Sequence, residues 1–425
     1  MAWISVALFL FSFILTRRDA NGGSSFGTHP GRLRRFLTGY VFGVSFSVFN
    51  FLWLWQFVSR WTGSSLLGFI PWVLVVLAFS VYYGLLGLVL GKAWQRKEEW
   101  MIPVLWAGSE VLRSTVPYLY FPWALLGTSL YKNSGLLQPA YWGGIFFLSG
   151  WMVLGALALT VLFMQGLGKK FWIYGSLFLA MGLSSWLSVP SETPSDQDHK
   201  NLVKVGALQP GVDLAFGEPS AVERTLWRNI EILLQEARKQ GCEWVVLPEG
   251  LGVATQSEEA PFSAWGNKAP PVSLILGAQR WEGGDAFQSA FAYSAPPQGK
   301  ESWAHIDKVR LVIFGEYVPF REHLPFLSAF RLPSGDLKPG ERIGTLDVGK
   351  YRVGALLCFE ALFEEVARVQ ARQGAQALVV LSLDDWYQGT GAVEMLKSAS
   401  VLRAVENRLA VVRSAPLGVT IIVDP

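Results

Sequence analysis

The sequence predicts a multi-span α-helical membrane bundle followed by an α/β domain. Three observations carry this. Only 16% of the 425 residues are charged while 51% are hydrophobic, against about 25% charged in an ordinary soluble domain. Charge also divides sharply near residue 190. Residues 1–190 hold 13 Lys and Arg against 4 Asp and Glu, a balance of +9, and 13 of the 19 Trp; the remainder holds 23 basic and 29 acidic residues. Finally, the hydrophobic period changes at that same point, from long continuous runs to short strands alternating with amphipathic helices. The overall net charge of +3 is therefore a sum of unlike halves, and it carries no nucleic-acid signal.

The first half contains apolar runs at about 2–16, 36–58, 66–90, 101–117, 136–164 and 171–189. About six spans are expected, since roughly 20 residues cross the hydrocarbon. The first run is not a signal peptide, because Arg17 and Arg18 follow it and nothing basic precedes it. Loops 17–35, 91–100 and 165–170 hold ten basic residues and the alternate loops hold Arg60 and Lys132 alone. The positive-inside rule puts the first set in the cytoplasm and everything after Pro190 outside. Six spans would also leave Met1 outside, so a further upstream helix is expected. Glu110 and Arg113 lie three apart on one helical face. They are read either as a polar contact for a lipid or substrate or as a paired charge that holds the bundle together. The aromatic, Pro-rich stretch 117–123 reads as an interfacial belt.

Residues 191–201, SETPSDQDHKN, are polar throughout and form the expected linker. Strands are expected at 202–209, 244–249, 273–279, 287–294, 302–308, 351–358, 377–383, 409–414 and 417–424. Helices are expected at 221–240, 360–373 and 392–406, the first from Val222, Leu226, Ile230, Leu233 and Leu234 at helical spacing before Gly241. Residues 202–425 thus form one layered α/β domain. Two Cys and four scattered His provide neither a disulfide framework nor metal-ligand spacing, so no metal and no cofactor is expected.

Three residues end apolar strands in this domain. Glu249 closes VVLPE, where burial favours a raised pKa and general-base work. Lys308 closes HIDK, with Glu316 eight residues on, and a buried cation there can hold an oxyanion. Cys358 closes GALLC at a strand-to-helix junction, where the helix N-terminus favours a thiolate. Alone, Glu249 is as easily a turn carboxylate, while Lys308 and Cys358 read more readily as a surface lysine and a plain buried thiol. Cys242, in KQGCEW, lacks that setting and is read as structural.

In this order, with FGE after the Lys and CFE at the elbow, the motifs resemble the nitrilase superfamily over nearly all of 202–425. That resemblance implies an α-β-β-α sandwich and a Glu–Lys–Cys triad. The preceding spans, with FPWALLGTSLYKNSGLLQPAYWGG, and FGEYVPFR after the Lys, are similar to the membrane-bound branch of that superfamily, the apolipoprotein N-acyltransferases. The resemblance implies acyl transfer from a phospholipid to the N-terminal amine of diacylglyceryl-cysteine lipoproteins, through a thioacyl-enzyme on Cys358. Glu249 would be the base, and Lys308 with the Phe359 N–H would hold the oxyanion. Glu316 and Glu360 would support them, and Phe216, Tyr317 and Trp386 would contact substrate. It implies phospholipid, lipoprotein and membrane-lipid partners, and an inner-membrane chain whose domain faces the periplasm. Lipid-facing arms are expected at 251–270 and 317–335, the second carrying Phe320, Leu324, Phe326, Leu327 and Phe330. An amidase using water as acceptor and a non-catalytic homologue are the competing readings.

The chain departs from the family pattern in three places. Gln209 is followed by PGVDLAFGEP, where only Phe216 supplies an aromatic, in place of a Lys-Trp pair. Ser382–Tyr387 reads SLDDWY where the family tends to SNDAWF. The chain ends at IIVDP, where the family continues into a final membrane helix, so a truncated chain is expected in preference to a working shorter enzyme.

Overall fold

The computed structural model describes residues 6, 8–10, 31–117, 120–189, 202–254, 270–295, 302–321, 323, 332 and 335–425. Most of the first apolar run, the linker 191–201, most of the 251–270 arm, and Leu324, Phe326, Leu327 and Phe330 lie outside these residues. The chain divides into two compact units. One comprises 1–116, 120–189 and 390–392; the other comprises 117–119, 190–389 and 393–425.

The first unit is helical. Its longer helices are α1 (Arg32–Asn50), α2 (Leu52–Thr62), α3 (Ser65–Gln95), α4 (Ile102–Thr115), α5 (Ala140–Gln165) and α6 (Lys169–Leu187). Among the described residues, α3 with 31 residues and α5 with 26 are long and apolar enough to cross a membrane. The pair α1 and α2, bent by 46°, makes a third if it is one broken span. Helix α5 is kinked at Gly143 and Gly144, and at 1.5 Å per residue the part after them, 145–165, is about 32 Å long, enough for the roughly 30 Å of hydrocarbon. The Ser64 side chain accepts the Leu67 N–H to start α3.

Helices α1 and α3 pack with their backbones close together, which only small residues allow. A Cβ on Gly39 would lie 2.1 Å from the Tyr83 carbonyl oxygen, and one on Gly43 would lie 2.7 Å from Ser80 Cα. Lys170 on α6 pairs with the buried Glu99 at 2.9 Å.

The Glu110–Arg113 pair is held within the unit. Arg113 donates to the carbonyls of Phe121 (2.9 Å), Trp123 (2.7 Å) and Ala124 (3.1 Å). Glu110 accepts the Trp106 indole N–H and the Leu126 amide. Of the two readings of this pair, the contacts match the one that holds the bundle together. They also draw the aromatic stretch inward: Trp123 is buried against Trp53, 4.6 Å between centroids. The loop carbonyls have Arg113 as their partner, which holds the Trp123 segment within the unit.

The second unit is a four-layer α-β-β-α sandwich. Sheet one joins β1 (Val205–Ala207), β2 (Trp244–Val246), β4 (Ser273–Glu282), β5 (Asp285–Ser294) and β6 (Ser302–Asp307) in that order, with β3 (Val253–Ala254) also on β4. Sheet two runs β11 (Ile421–Val423), β10 (Val411–Ser414), β9 (Ala377–Leu381), β8 (Tyr351–Leu357), β7 (Thr345–Val348). Neither β3 nor β7 was expected; both are too short to show a period. Helix α7 (Pro219–Lys239) covers sheet one, α8 (Glu364–Arg372) packs on β8, and α9 (Gly391–Asn407) follows β9.

Alternation places the core. Val246 and Ile275 face sheet two, where they meet Val353, Ala355, Val379 and Leu381. Their neighbours Val245 and Leu274 face α7, where they meet Leu226, Ile230 and Leu234. Each of these Val, Leu and Ile side chains, fully buried, contributes about 1.5–3 kcal/mol.

Gly39→Ala is expected to force α1 and α3 apart and cost about 1–3 kcal/mol. Gly108→Ala meets nothing within 4 Å and is expected to leave stability unchanged or slightly higher. Thermal melts of the two purified variants in detergent check this, and equal melting temperatures would contradict it.

Candidate active site

Glu249, Lys308 and Cys358 all sit just past strand ends. The β2 chain runs on through Leu247, whose amide bonds Ile275, and reaches Glu249 over Gly277 of β4. A Cβ at Gly277 would lie 2.8 Å from Glu249 Cα, so only glycine admits this approach. Lys308 follows β6, its amide bonded to the Gln288 carbonyl at 2.7 Å. Cys358 follows β8 and opens a short 3₁₀ turn, Cys358–Leu362. Its φ is +50°, a left-handed conformation that costs a non-glycine residue about 1–3 kcal/mol.

The three side chains are buried close enough to act on one another's protons. Relative exposures are 4% for Glu249, 1% for Lys308 and 7% for Cys358. Lys308 Nζ lies 2.6 Å from Glu316 Oε1 and 3.7 Å from Glu249 Oε1. The Glu249 carboxyl and the Leu383 backbone lie near enough to the Cys358 thiol to act on its proton.

The two supporting glutamates hold this arrangement through backbone amides. Glu316 Oε2 accepts the Val312 N–H at 2.8 Å. Glu360 Oε2 accepts the Leu357 N–H at 3.0 Å, while its Oε1 accepts Val309 N–H at 2.7 Å and Arg310 N–H at 3.1 Å. Glu360 thus ties the strained Cys358 elbow to the segment after Lys308. Phe359 is buried and packs edge-on against Phe363 at 5.1 Å.

The other expected contacts divide. Phe216 and Trp386 come together as a T-shaped pair at 5.3 Å. Tyr317 packs in a small separate cluster with Ala286, Leu311 and Leu337. Of the second arm, Phe320 is described, and its side chain is exposed.

Sequence reasoning assigned no role to four residues that shape this site. Arg413 and Asp384, both fully buried, form a bidentate pair at 2.6 and 2.8 Å. Asp385 accepts the Leu214 and Leu417 amides at 2.7 and 3.0 Å. Together they anchor the turn after β9 that carries Trp386 and Tyr387. Arg403 of α9, paired with Glu406, donates to the Ala361 carbonyl of the Cys358 turn at 3.1 Å. The signal for Asp384 and Asp385 was present in SLDDWY after the apolar strand ALVVL, but their partners are remote in sequence.

Burial pushes Glu249 up to about 7, with the Lys308 cation opposing and Glu316 and Glu360 adding to the rise. Burial likewise pushes the Cys358 thiol up to about 12, reinforced by Glu249 and opposed by Lys308. For Lys308 burial alone would lower the pKa, but the Glu316 and Glu249 carboxylates overcome it and hold the ammonium well above its usual range. At neutral pH the site therefore combines a fixed cation, a carboxylate near its midpoint and a thiol that keeps its proton until a base takes it. That combination suits nucleophilic acyl chemistry. Among the described residues, no group of three or more His, Cys, Asp or Glu could hold a metal ion.

A carbon-nitrogen hydrolase family model matches residues 205–425, and one for the N-terminal domain of apolipoprotein N-acyltransferases matches 1–158. Among similar proteins, the apolipoprotein N-acyltransferase of Geobacter metallireducens is 30% identical over 418 residues, 92% of this chain and 77% of that one. That of Pasteurella multocida is 25% identical over 405 residues, 91% and 76% of the two chains. A solved structure from Saccharomyces cerevisiae, a member of branch 10 of the nitrilase superfamily, is 20% identical and covers 52% of this chain and 82% of its own, with a TM-score of 0.36.

The base form of Glu249 is the carboxylate, so Cys358 reactivity is expected to fall as pH drops through about 7. Iodoacetamide labelling of Cys358, followed by peptide mass from about pH 5 to 9, should show this inflection in the native protein and lack it in Glu249→Gln. A flat native profile would contradict the assignment.

Proposed function

The chain belongs to the apolipoprotein N-acyltransferases, membrane-bound members of the nitrilase superfamily, and on that premise we propose that Glu249, Lys308 and Cys358 carry its acyl transfer. The reaction moves a fatty acyl chain from a phospholipid to the N-terminal amine of a diacylglyceryl-cysteine lipoprotein. The observation that carries the assignment is the buried contact of Lys308 with both carboxylates beside the Cys358 thiol.

In the first half-reaction Glu249 takes the proton from Cys358 Sγ. The sulfur attacks the carbonyl carbon of the sn-1 ester, and the C=O pair moves onto oxygen. The Lys308 ammonium and the Phe359 N–H stabilise that oxyanion. Collapse breaks the ester C–O bond, and the departing lysophospholipid oxygen takes the proton from Glu249. A thioester remains on Cys358.

In the second half-reaction the lipoprotein α-amine attacks the thioester carbonyl and gives its proton to Glu249. The C–S bond breaks, the amide forms, and the proton returns to sulfur. Splitting one transfer into two steps lets a single nucleophile serve both lipids. Glu316 keeps Lys308 charged, and Glu360 holds the elbow. Phe216 and Trp386 form an aromatic wall for substrate, and Tyr317 flanks the Glu316 segment.

The chain is a membrane protein, and we assign it to the bacterial inner membrane. Residues 1–190 would be the bundle, 191–201 the linker and 202–425 the periplasmic catalytic domain. The ten-to-two excess of basic residues in alternate loops supports this orientation.

Purified protein, phospholipid vesicles and a synthetic diacylglyceryl-cysteine peptide form the test. Mass spectrometry is expected to find the peptide heavier by one fatty acyl group on its amine, together with lysophospholipid. Cys358→Ala and Glu249→Gln should each lose about 10³-fold or more. Free fatty acid released at the same rate with or without the peptide would overturn transfer in favour of hydrolysis.

A further inference from the structure

Three loops meet at the sheet ends beside the site. Leu357, the last residue of β8, pairs with Leu381, the last of β9, so the turn after β9 starts alongside Cys358. The loop between β1 and α7 reaches the same place. A Cβ built on Gly250, next to Glu249, would lie 3.5 Å from Leu214 Cδ1 and as far from both terminal carbons of Leu383. These two leucines thus pack against the segment that carries the base. The third loop follows β10, and its Pro416 carbonyl accepts the Gly211 amide of the first at 2.9 Å.

Asp385 joins all three. Its side chain is fully buried; Oδ2 accepts the Leu214 amide at 2.7 Å and Oδ1 the Leu417 amide at 3.0 Å. Past Leu214 the chain turns tightly, because Asp213 Oδ1 accepts the Ala215 and Phe216 amides at 3.2 and 2.9 Å. Phe216 therefore stands two residues from one end of the Asp385 bridge, and Trp386 is the residue next to its other end. Their rings, both half-buried, meet edge to face at 5.3 Å and 76°. Two places where the sequence departs from the family pattern, the segment after Gln209 and SLDDWY, are thus tied together by one side chain. The neighbouring Asp384 does something else, pairing with Arg413.

We propose that Asp385 is a positioning residue for the acyl donor: its two amide bonds hold Phe216 and Trp386 against each other as a fixed wall on which an aliphatic chain of the phospholipid packs. This rests on the reading of that pair as a substrate contact. Asp385 makes no bond to the lipid itself. An aliphatic chain offers aromatic rings only shape and apolar area, so affinity depends on the rings being in place before the lipid arrives. Rings on two untethered loops would have to be ordered by the lipid, at a cost to binding. A carboxylate suits the bridge because each oxygen accepts separately and its charge strengthens both bonds. Asparagine offers one accepting oxygen and alanine none.

An ether-linked phospholipid has the chains but no ester, so it can occupy the site without reacting. Purified protein in detergent is titrated with it, and the lipid concentration that halves iodoacetamide labelling of Cys358 is read by peptide mass at about pH 8. Asp385→Ala is expected to raise that concentration about tenfold and Asp385→Asn about threefold, the weight of both amide bonds and of one. Labelling without lipid should stay within about twofold of native. Because Asp385 acts through the aromatic pair, adding Asp385→Ala to Trp386→Ala should weaken protection no further. A half-protecting concentration within about twofold of native in Asp385→Ala, or an effect that adds in full to that of Trp386→Ala, would overturn the proposal. Should Asp385→Ala fail to fold, an unchanged value in Asp385→Asn does the same. A native thiol that the ether lipid leaves unprotected, or protection indifferent to Trp386→Ala, would overturn it together with the reading of the wall. A protected thiol that ester phospholipid never acylates would instead sink the acyl-transfer reading and leave the role of Asp385 standing.

Discussion

A buried lysine is the constraint around which the catalytic unit is arranged. Lys308 is 1% exposed, and an isolated ammonium at such a site would lose its proton. Glu316 at 2.6 Å and Glu249 at 3.7 Å prevent that. Removing one member of such a buried set costs about 3–5 kcal/mol, because the remaining charge is stranded. The segment from Val309 to Glu316 must therefore turn back on itself, and the Val312 amide closes that turn on the second oxygen of Glu316. The same cation partly offsets the rise in Glu249 and in Cys358. One ion cluster thus shapes a loop and poises a base and a thiol together.

Strain at the nucleophile is held by the same means. Cys358 occupies a left-handed conformation, and neighbouring groups keep it there. Glu360 accepts the Leu357 amide before the elbow and the Val309 amide after Lys308, and Arg403 donates to the Ala361 carbonyl. Beneath the adjoining turn, Asp384 and Arg413 satisfy one another with no exposure to water. These buried polar groups add little net stability, but they fix geometry at the sheet ends.

Much of this was legible before any coordinates. Apolar strands that close on Glu249, Lys308 and Cys358 announce themselves, because continuous burial makes the run and the polar residue at its end is conspicuous. The helix from Pro219 to Lys239 shows its period for the same reason. Arg403 and Arg413 could not be read as site residues: each bonds a partner more than 25 positions away, and nothing local distinguishes a buried arginine from a surface one. Strand β7 is four residues long, too short for a period. In the helical unit, Glu110 and Arg113 were visible as a pair, but their bonds to loop carbonyls were not.

The central claim is that Cys358 carries the acyl group. The most direct measurement is the mass of the Cys358 peptide after the protein is incubated with phospholipid and no acceptor, with and without hydroxylamine. The account predicts a fatty-acyl adduct on Cys358 that hydroxylamine removes and that Glu249→Gln fails to form. A folded, membrane-inserted sample with neither adduct nor lysophospholipid would contradict it.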